Sequence, residues 1–171
     1  RDSIEPETLL DDEARARATS VYLPHAVLPM LPSRLSDNLC SLRAKVPRLA
    51  MTVSMEIEND CTIGNVAAFE SIIEVQENLS YEDALDNPKF QNMMDLAEEL
   101  RRNEIRLNLN SAELRPRILE DEISVNVKWP NKATEMIETF MVATNNSIGI
   151  LLGEKNAPLP WRSHAPPDAP E

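Results

Sequence analysis

From Ala50 the chain alternates strictly, with Met51, Val53, Met55 and Ile57 on one side and Thr52, Ser54, Glu56 and Glu58 on the other. This period of two predicts a strand over 50–58 with one buried and one wet face. Asn59-Asp60 supplies a turn, and the more apolar segment over 62–76 returns as an antiparallel partner in which Gly64 is placed for a bulge. A second alternating run sets Ile123, Val125, Val127 and Trp129 against Glu122, Ser124, Asn126 and Lys128 and predicts a strand over 122–129. Leu107-Asn108-Leu109-Asn110 is a shorter strand candidate.

Helical spacing governs the rest. Thr8 followed by Asp11 has the spacing of a helix start, and Leu9, Leu10, Ala14 and Ala18 share one face through Thr19. Ser80-Tyr81-Glu82-Asp83 opens a short helix that ends before Pro88, and Met93, Met94, Leu96, Ala97 and Leu100 mark a longer one. Asn131 caps the last helix, whose apolar stripe runs Met136, Ile137, Phe140, Met141, Thr144, Ile148, Leu151 and Leu152 before Gly153 stops it. These elements predict an α+β fold: a mostly antiparallel twisted sheet built from 50–58, 62–76 and 122–129, packed with amphipathic helices and covered by the helix over 133–152. Pro24, Pro29 and Pro32 predict a loop with one short helical turn between 18 and 50. Past Asn156 come Pro158, Pro160, Pro166, Pro167 and Pro170, with Leu159 to His164 between them as one further strand candidate.

A chain of 171 residues buries one ordinary core. It has no apolar run long enough for a bilayer and no basic-then-apolar leader, so no membrane is expected and the location expected is intracellular, in the cytoplasm or an organelle. Cys40 and Cys61 lack a second ligand at zinc spacing and are expected to be free thiols. His25 and His164 have no Ser or Cys nucleophile motif beside them, and three glycines at 64, 149 and 153 exclude a Gly-rich phosphate loop. Asp11, Asp12 and Glu13 point around a helix rather than converging on a metal, and as first-turn acids they suit the helix dipole. Arg101, Arg102 and Arg106 form a tight basic cluster that reads as a solvated helix end before it reads as a phosphate clamp. A formal charge of −12 opposes nucleic acid, so an RNA ligand would need help from other domains, a partner chain or metal ions.

One stretch carries more than its composition. Taken as a string, Thr19-Ser20-Val21-Tyr22-Leu23-Pro24, then Pro29-Met30-Leu31-Pro32, then Leu35-Ser36-Asp37-Asn38-Leu39-Cys40-Ser41-Leu42 and Arg48-Leu49-Ala50 resembles the RNB catalytic domain of the ribonuclease II and ribonuclease R family. Leu79-Ser80-Tyr81-Glu82-Asp83 looks like the family's "LTYE" helix start. Ala133 to Asn145 is similar to its "A..LIEEFM..AN" helix, and Trp161-Arg162-Ser163-His164 stands where the family often has "YRVHE".

The resemblance implies processive 3′-to-5′ hydrolysis of single-stranded RNA to nucleoside monophosphates, with magnesium as the cofactor. It implies that Tyr22 stacks near the 3′ end of the RNA. Leu109 falls where the family has a phenylalanine, and leucine offers no stacking face. Arg162 and His164 are further RNA-binding candidates on the same ground. Neither the family's aspartate cluster nor its "SPIRRY" segment occurs in the 171 residues, so no catalytic or metal-ligating residue is assigned to them. The chain is therefore expected to be a partial RNB-like domain over 1–171, with an acidic lead-in over 1–8 and a proline-rich tail over 157–171. Its expected partners are single-stranded RNA and other segments of the same enzyme. The alternative is a non-catalytic remnant serving as a structural or assembly subunit of a larger complex.

Overall fold

A computed structural model describes residues 4–103, 111–119 and 122–158. The fold is α+β with antiparallel pairing, as the pattern predicts. Helix α1 (Leu9–Arg17) leads into the two-residue strands β1 (Val21–Tyr22) and β2 (Val27–Leu28) and then a π-helical turn, Leu35–Leu39. The long strands β3 (Pro47–Ile57) and β4 (Ile63–Glu74) follow, then α2 (Tyr81–Leu85), a 3-10 turn and α3 (Gln91–Asn103). Strands β5 (Glu113–Leu119) and β6 (Glu122–Lys128) precede α4 (Lys132–Glu154).

Among the described residues the strands form three two-stranded antiparallel ribbons rather than one sheet. The expected third member of the β3–β4 sheet, β6, pairs instead with β5, with Leu114 opposite Val127 and Pro116 opposite Val125. Proline lacks an amide donor, so Pro116 fits a strand that has a neighbour on one side only. The proposed strands at Leu107–Asn110 and Leu159–His164 lie outside the described residues.

The β3–β4 turn is built by Asp60, whose Oδ1 accepts from the Thr62 amide at 2.9 Å and the Thr62 hydroxyl at 2.7 Å. The bulge expected at Gly64 lies beside it: the register shifts past Ser54, and Asn65 takes a left-handed φ of 49° that asparagine tolerates. Burial along β3 changes face midway. Val53, Met55 and Ile57 are half-buried as expected, but Met51 is 67% exposed while Thr52 on the opposite face is half-buried. A twisted two-stranded ribbon turns a different face to the protein at each end, which strict alternation does not encode.

The core lies between helices. Met94 and Ala97 of α3 pack with Ala133 and Met136 of α4, and Ala84, Phe90 and Phe140 close around them. On α4 the buried face is Ala133, Met136, Thr139, Ala143 and Ser147, whereas Ile137 and Met141 of the predicted stripe are exposed. Small residues let α3 and α4 approach, and Thr139 satisfies its buried hydroxyl by donating to the Glu135 carbonyl at 2.8 Å. Helix α4 thus covers α3 first, and also touches α2 and β4. Helix α1 stops at Arg17 rather than Thr19, because Ala18 adopts a left-handed φ of 57° and its amide closes on the Ala14 carbonyl.

Candidate functional site

Tyr22 stands on β1 of the short β1–β2 ribbon, opposite Val27, with the connection closed by the Leu23 amide donating to the Ala26 carbonyl at 2.8 Å. The loop is anchored at its base. The Met30 amide donates to Ser20 Oγ at 2.9 Å, and Arg17 Nη1 donates to the Pro29 carbonyl at 3.1 Å. Tyr22 is 79% exposed, so its ring is presented to solvent by a braced hairpin and is not packed under the loop. His25 in the same turn is exposed.

The following segment is held to the long ribbon. Arg48 donates from Nε to the Ser41 carbonyl at 3.1 Å and from Nη2 to Asn38 Oδ1 at 2.7 Å. Asn78 accepts from the Ala44 amide at 2.7 Å and donates to the Leu42 carbonyl at 3.0 Å. The residues from Asn38 to Ala44 are thereby held by side chains together with local backbone turns and a single bridge from Ala44 to Val75, which explains how a stretch without periodicity is ordered.

A second feature has no local sequence signature. A cleft of about 260 Å³ opens where α2, the end of β6 and the first turns of α4 meet, lined by Tyr81, Glu113, Lys128, Trp129, Thr134 and Glu138 among others. Both helices reach it through a cap. Ser80 and Asp83 form a reciprocal capping box that starts α2 at Tyr81, and Asn131 and Thr134 form another that starts α4. Lys128 Nζ lies 5.2 Å from the centroid of the Tyr81 ring and 3.4 Å from Glu82 Oε1. Its own backbone amide first, and then the Lys128 ammonium, hold the Glu82 carboxyl below its ordinary range. The cleft therefore offers aromatic faces, the Lys128 ammonium and carboxylates, a mixture suited to a flat heterocycle with both donors and acceptors. Trp129, assigned by alternation to a buried face with Val125 and Val127, is 61% exposed, as those two valines largely are. In the sequence Tyr81 marks only a helix start. Both belong to the cleft because tertiary packing brings distant elements together.

The site residues expected from sequence are not gathered in one place that the structure describes. Tyr22 is not among the residues lining the cleft, while Leu109, Arg162 and His164 lie outside the described residues. Of the basic cluster, Arg102 pairs with Glu98, and Arg101 is 19% exposed and faces Glu135 and Glu138. It is a packed bridge, not a solvated helix end. Arg106 lies outside the described residues. Among the described residues no three His, Cys, Asp or Glu side chains converge as a ligand set. They do not fit the magnesium that the resemblance implies, and no bond-breaking step is assigned to them. Among the same residues no helix is long and apolar enough to cross a membrane.

Comparison with known proteins follows this geometry. A family model described as RNB domain matches residues 1–171. Ribonuclease R of Chlamydia pneumoniae is 33% identical over 183 residues, covering 96% of this chain and 27% of that protein. Exosome complex exonuclease RRP44 homolog A of Arabidopsis thaliana is 36% identical over 162 residues, covering 85% of this chain and 17% of that protein. Mycoplasma genitalium RNase R, solved in complex with ribose methylated single-stranded RNA, superposes with a TM-score of 0.85 at 25% identity, over 96% of this chain and 29% of that one. The chain spans about a quarter of the length of the curated ribonuclease R relatives it matches.

Proposed function

Since the chain belongs to the RNB domain family of ribonuclease R-like exoribonucleases, we propose that it forms part of an enzyme that hydrolyses single-stranded RNA from the 3′ end, with its own residues binding and orienting the strand. The observation that carries this reading is the exposed Tyr22 ring on a braced, proline-flanked hairpin. An aromatic face accepts any base, and a stiff loop loses little entropy when it does. The cleft at Tyr81, Lys128 and Trp129 adds a second place for a nucleotide of the same strand, its ammonium facing phosphate and its rings facing bases. That the RNase R of similar fold has been solved with single-stranded RNA supports RNA as the ligand. In the family, magnesium supplies the water-activating and charge-bracing chemistry. No residue of this chain is given that task.

A second reading, an assembly subunit of a larger complex, is favoured by a separate observation. Leu49 and Ile72 sit opposite each other in the β3–β4 ribbon and are both exposed, with Met51 beside them. Such an apolar face suits contact with another protein surface. Fluorescence anisotropy with labelled single-stranded RNA distinguishes the two. Binding that Tyr22→Ala weakens supports the RNA-binding segment, and absence of binding by the folded wild-type chain favours the subunit.

A further inference from the structure

Arg101 is the least expected side chain in the helical core. It comes from the last turn of α3, its side chain is 19% exposed, and it faces two carboxylates of α4 one turn apart: Nη2 lies 3.9 Å from Glu135 Oε1, and Nη1 lies 3.6 Å from Glu138 Oε2. Those distances are ion-pair separations longer than hydrogen bonds. The Nη1 atom is buried and has no hydrogen-bond partner among the described residues. A buried guanidinium nitrogen left in that state costs free energy that a small movement of its neighbour would recover. The neighbour is Glu138, which lines the cleft with Tyr81, Lys128 and Trp129.

We infer that Arg101 is a positioning residue for the cleft: through Glu138 it holds a carboxylate in place as an acceptor for the donor groups of a bound nucleotide and offsets the charge that would otherwise repel the phosphodiester. Arg101 faces Glu138 across an ion-pair separation of 3.6 Å, and Glu138 rather than Arg101 lines the cleft, so the effect of Arg101 on a ligand is exerted through Glu138. This rests on the reading of the cleft as part of the RNA path. Two properties make arginine suited to the place. Its fork faces Glu135 and Glu138 together, and it stays charged at every pH the protein meets. Glu113 and Glu138 both line the cleft with Lys128, so removing the Arg101 guanidinium makes these surroundings more negative.

The test is a double-mutant cycle on the 171-residue chain, read by anisotropy with a fluorescein-labelled oligoadenylate and by thermal unfolding, with Arg101→Met, Glu138→Gln and the two combined. Arg101→Met is expected to weaken RNA binding about tenfold in the wild-type background and by less than about twofold when Glu138 is already glutamine. Arg101→Lys, which keeps the charge but not the fork, is expected to fall between wild type and Arg101→Met. A merely structural arginine would lower the unfolding midpoint and weaken binding equally in both backgrounds, and that result overturns the inference. A direct phosphate contact would also act equally in both backgrounds and would reduce the salt slope of binding by about one, which overturns it as well. Failure of the folded wild-type chain to bind the oligonucleotide overturns the reading of the cleft, and the inference with it. That outcome is recognised before any variant is compared.

Discussion

A tyrosine held 79% exposed on a two-residue strand gives up most of the burial an aromatic ring usually obtains on folding. Substitution there is expected to be cheap for the fold and costly for a stacked ligand. Tyr22→Ala should leave the unfolding midpoint close to wild type and weaken single-stranded RNA binding by about 1–3 kcal/mol, while Tyr22→Phe keeps most of the affinity. Anisotropy and thermal unfolding on the same preparations check it; an unfolding midpoint that drops with unchanged affinity counts against the role. Met136 is the opposite case, 4% exposed between α3 and α4. Met136→Ala should destabilise by about 2–5 kcal/mol, measured by denaturant unfolding. The two residues also show what was legible from sequence. Met136 follows from helical spacing and Tyr22 from the resemblance, whereas Trp129, Lys128 and Tyr81 meet only through the packing of α2, β6 and α4. No periodicity within one element announces a cleft that several elements build.

At the scale of elements, the local rules set where helices begin and missed which faces they bury. Thr8, Ser80 and Asn131 each cap the helix that spacing assigned to them. Their side chains act within one turn of chain, so nothing distant can override them. Asn131→Ala removes the acceptor for the Thr134 amide, held at 3.0 Å, and should cost about 1 kcal/mol in thermal or denaturant unfolding. Because α4 borders the cleft, the same variant should also weaken RNA binding if the cleft is on the RNA path. Burial depends on partners. Of the stripe of large residues expected on α4, Met136 faces the core while Ile137 and Met141 are exposed, and the small and polar Ala133, Thr139, Ala143 and Ser147 share the buried face with Met136. Likewise β6, expected in one sheet with β3 and β4, pairs with β5: hydrophobic alternation fixes the face of a strand, and its pairing depends on segments that alternation does not name.

For the whole molecule, charge is the property most visible in the sequence and the one that structure distributes. The formal charge of −12 implies mutual repulsion at neutral pH, yet several carboxylates are engaged locally. Lys132 and then Arg102 hold the Glu98 carboxyl below its ordinary value, Ser80 does so for Asp83, Thr62 for Asp60, and the Glu82 backbone amide and Lys128 for Glu82. The sign follows from linkage. A carboxylate whose folded value is depressed binds protons less readily in the folded state, so it stabilises above its unfolded value and loses that contribution as pH falls through the folded one. With ordinary values of 4.5 for the two glutamates and 3.8 for the two aspartates, the stabilisation is complete above about pH 5 and is lost progressively below the ordinary values. General repulsion runs the other way between neutral pH and the isoelectric point near 4.6, since protonation there reduces the excess of negative charge. The two effects predict an unfolding midpoint that changes little from pH 7 to pH 5 and falls steeply from pH 4 to pH 2, where the pairs are lost and net positive charge builds. Glu98→Gln removes a carboxylate paired with both Arg102 and Lys132 and should make the acid limb shallower, with its midpoint at pH 7 lowered only slightly because both pairs are exposed. Thermal unfolding of both proteins across that range decides it, and an acid limb of identical steepness in the variant would remove Glu98 from the account.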